Sequence, residues 1–426
     1  MAFNKWKTGG RLKLEWRYVI CPLAFLIVLW VAASFTGHWA TEENPYRSYA
    51  LQACAWLDGR LDLGKDYPWL ELAIYEGKYY VSFPPFPSLV LLPFAAVLGT
   101  NTPDHWISLG FSIIGIIYAI RLYRAITGTY EMAEQYVLFL FLGNGYLFIA
   151  LQGGWVWYMA QTMCFTFSLM SLFYAANKHI GRALAFLACA FGCRPMVVAY
   201  IPLILMLGTE KASVKTWIRK GYRLIPACMI IGFYLMLNAA RFDNPFEFGH
   251  NHLPEFVRST EGQFSLNYAT KNFNQLFRLP QTGGEHGMLI YDTYDCMAFW
   301  LIDPIIVSFM VTWLYALTRK RKACGLNLII VPATTCVHLM IVCCHKTMGG
   351  YQFGNRYIVD MLPYVFYGLI TYKQGVGKAE WLNNPLFALG FSINLIGTVS
   401  TYNHSRSAPR ERKGMADAHR RQSLQE

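Results

Sequence analysis

The sequence predicts an all-α integral membrane protein, a bundle of roughly 11 transmembrane helices, some of them short or broken. Three observations predict it. Hydrophobic residues make up 55% of the 426 residues and charged residues 15%, against about 25% charge in an ordinary soluble chain. Apolar runs recur along the whole length instead of forming one local anchor. The Lys and Arg residues fall in short clusters between those runs, as the positive-inside rule requires of a polytopic chain.

Residues 1–17 carry five basic side chains. The apolar run Tyr18–Phe35 that follows is too long for the core of a signal peptide, so it reads as an uncleaved first span with a cytoplasmic N-terminus. Further spans lie near 105–123, 132–150, 155–177, 222–240, 298–318, 326–344, 356–372 and 384–402. Residues 84–98 are too short and too proline-rich to be one, and read as a juxtamembrane segment along the outer interface. Residues 183–207 have basic residues on both flanks, Lys178 and Arg182 before and Lys211, Lys215, Arg219, Lys220 and Arg223 after. Both ends therefore belong in the cytoplasm, which two short helices turning at Arg194-Pro195 satisfy. The proline disfavours helix at the residue before it.

With that hairpin, inside loops collect 20 of the 37 Lys and Arg residues and outside loops 10. Residues 1–402 read as a single membrane domain with two long outside loops, 37–104 and 241–297, and 403–426 as a basic, disordered tail. The tail falls on the outside in this topology, against the charge rule. The expected location is the plasma or inner membrane. A net charge of +12 would suit nucleic acid, but the basic residues form topology signals without interleaved aromatics, so no nucleic-acid partner is expected. The chain has no Walker loop, no HExxH and no CxxC.

The first outside loop has an informative order. The acidic pair Glu42-Glu43 stands just beyond the membrane exit. An amphipathic stretch, Tyr49–Leu57, is followed by a turn at Asp58-Gly59, a hairpin over Leu72–Val81 turning at Glu76-Gly77, and then the proline-punctuated strip. Carboxylates held at a membrane surface can act as a general base toward a hydroxyl. They are equally favourable simply as solvated acids at a helix start.

Several elements carry a resemblance: the acid after the first span, Arg47-Ser48-Tyr49-Ala50, Gly59–Leu63, Tyr75–Tyr80 and Pro84-Pro85. Arg194-Pro195 in a broken apolar pair, Asn244-Pro245-Phe246 after a span, and Gly354-Asn355-Arg356-Tyr357 entering one continue it. In order and spacing they resemble the GT-C superfamily of multi-span glycosyltransferases, and within it the protein mannosyltransferase and aminoarabinose transferase-like group. Many relatives have Asp where this chain has Glu42-Glu43.

The resemblance implies a GT-C-like bundle with extracytoplasmic juxtamembrane helices. It implies a polyprenyl-phosphate-sugar donor, a glycan, lipid or protein acceptor, and inverting transfer on the extracytoplasmic side. The base would be Glu43, with Glu42 second. Cations for the donor phosphate would come from Arg356, Lys78, Arg194, Lys346 and His345, with Tyr79 and Tyr80 beside Lys78. Asp58, Asp66, Asp292 and Asp295 are further candidate contacts to acceptor or donor. The histidines His250, His252 and His286 are too loosely spaced to define a metal site, so no metal ligands are assigned. A divalent ion, Mg or Mn, is the one cofactor the resemblance leaves room for. A second reading is a multi-span transporter or lipid flippase. That would need ionisable residues along a path through the membrane, and Arg194 and Asp360 are the few present.

Overall fold

The computed structural model describes residues 15–209, 221–283, 288–290, 296–319, 324–373 and 380–407. Away from water, apolar runs satisfy their backbone groups internally, and here they form helices. In chain order come α1 (Arg17–Thr36), α2 (Ser48–Leu57), the strands β1 (Leu72–Tyr75) and β2 (Lys78–Val81), then α3 (Phe86–Leu98) and α4 (Asp104–Thr127). These are followed by α5 (Ala133–Leu142), α6 (Tyr146–Leu151), α7 (Val156–Ala176), α8 (Ile180–Phe191) and α9 (Ile201–Gly208). Beyond them the chain runs through Ile225–Phe242, Pro304–Arg319, Asn327–Cys343, Leu362–Lys373 and Glu380–Ser407.

Among the described residues, five helical stretches are long and apolar enough to cross a membrane: Arg17–Thr36, Asp104–Thr127, Val156–Ala176, Gly221–Phe242 and Leu382–Tyr402. Six shorter apolar ones accompany them. The protein is a helical, multi-pass membrane protein, as predicted. Its described strands form two small antiparallel ribbons, β1 with β2 and Gln281–Gly283 with Met288–Ile290. Asp292, Asp295, His286 and the tail beyond Ser407 lie outside the described residues.

The proposed break at Arg194-Pro195 is present. Helix α8 ends at Phe191, and a 3-10 turn over Pro195–Tyr200 leads into α9. The β-hairpin turns at Glu76-Gly77 with Leu72 opposite Val81. Two expected spans are not continuous. The run 132–150 divides into α5 and α6 because Asn144 caps the break. Its Nδ2 donates to the Phe139 and Leu140 carbonyls at 3.1 and 2.6 Å, and its Oδ1 accepts from Tyr146 N–H at 3.0 Å. Gly145 N–H then donates to Asp303 Oδ1 at 3.0 Å. The run 356–372 likewise divides into Arg356–Val359 and Leu362–Lys373.

At the centre, α7 packs on α4, α8 and the Leu362–Lys373 helix. Its polar residues are buried and act as interhelical hydrogen-bonding groups. Thr166 Oγ1 donates to the Phe111 carbonyl at 2.8 Å, Ser171 Oγ to Ala183 at 2.8 Å, and Tyr364 OH to Ser168 Oγ at 3.1 Å.

The loops at one end are bonded to one another. Val156 N–H reaches Tyr46 O at 3.1 Å, Phe86 N–H reaches Gly192 O at 3.0 Å, and Ser265 N–H reaches Cys344 O at 2.9 Å. These bonds join the first long loop, the α8–α9 turn, the second long loop and the segment before Arg356.

Candidate functional site

The α8–α9 turn places Arg194. Gly192 lies so close to the Tyr234 ring and to Phe86 Cβ that a side chain there would collide with both. Arg194 itself donates its backbone N–H to Ala190 O at 2.8 Å. Its Nε donates to Asp360 Oδ2 at 2.8 Å, and its guanidinium sits 4.5 Å from the centroid of the Tyr357 ring.

The next segment places Arg356. Gln352 Oε1 accepts its backbone N–H at 2.8 Å, and Asn355 Oδ1 accepts Met297 N–H at 2.9 Å. Gln161 of α7 donates both to the Arg356 carbonyl at 2.8 Å and to Asp360 Oδ1 at 3.1 Å, so one amide ties the two arginine supports together. The Arg356 guanidinium lies 5.2 Å from the Tyr158 ring and 5.6 Å from that of Tyr357.

Asp360 is the one carboxylate ion-paired to either arginine among the described residues. Arg194 Nη2 and Arg356 Nε are both buried and meet no acceptor among the described residues. A buried cation without its counter-charge costs several kcal/mol, on the order of 3–5 when one partner of a pair is missing. Two guanidinia against one aspartate leave a positive charge that an anion would offset.

Glu71, at the foot of β1, is near enough to Arg356 to feel its charge and was not singled out from the sequence. Its carbonyl accepts Ser82 Oγ at 3.1 Å, and its Oε2 accepts Trp157 Nε1–H at 3.0 Å. Glu71 is exposed at its surface, yet the surrounding protein desolvates its carboxyl. Both hold for a side chain on a cleft wall. Desolvation pushes the carboxyl up to about 7; the Trp157 bond opposes the rise, Glu255 adds to it, and Arg356 opposes it. Aromatic rings continue the wall: Trp157 lies 5.1 Å from Tyr46 and 6.3 Å from Phe83. Beside it, a pocket of about 160 Å³ is lined by Pro45, Arg47, Tyr67 and Trp69 among others.

The histidines at the cleft are held neutral at pH 7. His250 Nδ1 bonds the Ser82 carbonyl at 2.7 Å, and burial lowers its ring to about 4. His345 Nδ1 bonds the Thr347 carbonyl at 2.7 Å, and burial lowers it to about 3, with His250, Arg194 and Arg356 adding to the effect. Burial disfavours a charge on His345, so toward a phosphate its ring would act as a neutral hydrogen-bonding group and not as a cation. Lys346 is close by, but its Nζ donates to the Glu255 carbonyl at 2.8 Å and lies over Phe256.

None of the other expected residues that are described is hydrogen-bonded or ion-paired to either arginine. Lys78 is exposed at the hairpin, opposite Tyr75. Alternation along β2 sends Tyr80 to the Phe242 ring, 5.2 Å away, while Tyr79 packs toward the main core. Glu42 Oε2 lies 3.0 Å from His38 Nδ1, and that histidine stacks on Tyr402. Glu43 is exposed. Asp58 pairs with Arg60 at 3.0 Å on the surface, and Asp66 is exposed. Among the described residues, no three His, Cys, Asp or Glu side chains are grouped to hold a metal ion.

Fold and site together define a multi-pass helical membrane protein with a cationic, aromatic-walled cleft where its loops meet. No family model matches the chain, and no curated protein matches it. The solved structures that this chain resembles include two of one protein. One is ArnT from Cupriavidus metallidurans in the apo state, at 11% identity and a TM-score of 0.45, over 90% of this chain and 73% of that one. The other is ArnT from the same organism bound to undecaprenyl phosphate, at 12% identity and a TM-score of 0.48, over 91% and 76%.

Proposed function

We propose that this chain is a membrane glycosyltransferase of the GT-C type. It would move a sugar from a polyprenyl-phosphate donor to a hydroxyl of a glycan, lipid or protein acceptor on the extracytoplasmic side. The observation that carries the reading is the pair Arg194 and Arg356, set against one Tyr357 ring with buried N–H groups that meet no acceptor among the described residues. Guanidinium groups suit phosphate oxygens because their N–H donors are fixed in a planar fork.

The apolar helix surfaces would hold the polyprenyl tail while the phosphate rests at the loop end. The order of motifs in the first long loop supports the same assignment. In this mechanism, a carboxylate of that loop removes the acceptor proton, the acceptor oxygen attacks the anomeric carbon opposite the phosphate, and the sugar is transferred with inversion. The excess of basic residues in the loops expected inside supports a cytoplasmic N-terminus and a location in the plasma or inner membrane.

The test uses the full chain in lipid nanodiscs with labelled polyprenyl-phosphate-linked hexose and pentose donors and a panel of hydroxyl acceptors. Label moving to an acceptor, and ceasing to move in Arg356→Ala, supports the reading. Donor crossing a vesicle membrane with no transfer would support the flippase reading instead.

A further inference from the structure

We infer that Glu71 is the carboxylate that takes the acceptor's proton, which rests on the glycosyltransferase reading and deepens it. A general base needs a fixed geometry, a free oxygen and a location beside the leaving group's cations. Glu71 has all three. Its backbone is anchored at the base of the β-hairpin by Ser82, and its Oε2 is fixed by Trp157 at the mouth of α7. No other hydrogen bond to the carboxylate is made among the described residues, which leaves Oε1 available to the cleft.

The nature of the partner matters. An indole N–H orients a carboxylate without neutralising it. Glu42 Oε2 lies 3.0 Å from His38 Nδ1, and Asp58 pairs with Arg60 on the surface. Glu43 has no side-chain hydrogen bond or ion pair among the described residues to fix its carboxylate. The charged groups felt at Glu71 are Arg356, entering its helix, and Glu255, from the second long loop. Their effects oppose each other, and desolvation dominates, so the carboxyl titrates near 7, which suits a base working at neutral pH.

The step balances. The acceptor O–H gives its proton to Glu71 Oε1, and the freed oxygen pair bonds to the anomeric carbon. The bond from that carbon to the phosphate oxygen breaks, and its electron pair leaves with the polyprenyl phosphate, whose charge faces Arg194 and Arg356. Tyr46, Phe83 and Trp157 would form the apolar wall against which the acceptor is held.

The test compares Glu71→Gln with the double variant Glu42→Gln, Glu43→Gln in the transfer assay across pH 5 to 9. Glu71→Gln is expected to lose about 100- to 10,000-fold in kcat while its affinity for unsubstituted polyprenyl phosphate holds. Its rate should no longer rise with pH through the neutral range, whereas the double variant keeps that rise. Transfer by Glu71→Gln at the unaltered rate, or a surviving pH rise, overturns the assignment alone. An unaltered protein that binds polyprenyl phosphate and transfers no sugar overturns the function and the assignment together. Should Glu71→Gln not fold, the fluorescence titration of the unaltered protein minus that of Trp157→Phe decides. A midpoint near 7 supports the assignment, and no titration between pH 5 and 9 overturns it.

Discussion

Arg194 and Arg356 share one aromatic ring: their guanidinium carbons lie 4.5 and 5.6 Å from the Tyr357 centroid. They come from a helical turn and a helix start 162 positions apart by residue number, and Gln161 and Asp360 hold the two together. The roles of the two arginines nevertheless differ. Arg194 has a carboxylate partner, whereas Arg356 has no ion pair among the described residues.

Arg356→Ala should therefore act on the ligand and little on the fold. A hydrogen bond to a charged group is worth about 1.5–3 kcal/mol, so affinity for polyprenyl phosphate should fall about 10- to 150-fold. Arg356→Lys should recover part of the loss, because it restores charge without the fork. Titration of the nanodisc-embedded protein with polyprenyl phosphate measures both, and thermal stability should stay near that of the unaltered chain.

Arg194→Ala should act on both. It leaves Asp360, which is 1% exposed, as a buried carboxylate without its partner. Removing one side of a buried pair costs about 3–5 kcal/mol, so the melting temperature should drop clearly. Adding Asp360→Asn removes the stranded charge and should return much of the stability without returning phosphate affinity. Parallel melting and binding measurements on the single and double variants separate the two effects.

These contrasts show what the sequence makes legible. Arg194-Pro195 stood out because basic residues flank its apolar run on both sides, and a charged residue there demanded an explanation. Arg356 stood out as a cation entering a span. Glu71 had no such mark. It sits between Leu70 and Leu72, and its character comes from Trp157, 86 residues away, and from the protein mass that desolvates it. The neutrality of His345 is likewise a consequence of burial that no spacing reveals. The break between α5 and α6 did have a local signal, Gly143-Asn144-Gly145, since asparagine and glycine end helices. The hydropathy of the surrounding run masked it.

Charge at the cleft also bears on metal dependence. Two guanidinia already face the position assigned to the donor phosphate, so its developing charge has protein cations to meet it. Transfer is expected to retain most of its rate when a strong chelator replaces added Mg or Mn. A rate that collapses with chelator and returns with one of these ions would instead make the ion part of the phosphate site.

The cleft histidines should make stability pH-dependent in a definite direction. His250 and His345 titrate near 4 and 3 when folded and near 6.5 when the loops are released. Between those limits the unfolded state binds more protons, so stability is fully present above about pH 6.5 and falls as pH drops. Each histidine contributes a slope of up to about 1.4 kcal/mol per pH unit. Glu71 runs the other way. Its folded value near 7 lies above its ordinary 4.5, so it favours the folded state below pH 4.5 and loses that contribution as pH rises through 7. Of these three groups the two histidines outweigh the carboxylate, so together they make the melting temperature fall between pH 7 and 5. His345→Gln should flatten that fall, and Glu71→Gln should steepen it. Melting curves of the three proteins at pH 5, 6 and 7 decide the matter, and a steeper fall in His345→Gln would contradict the assignment of His345 as a buried neutral group.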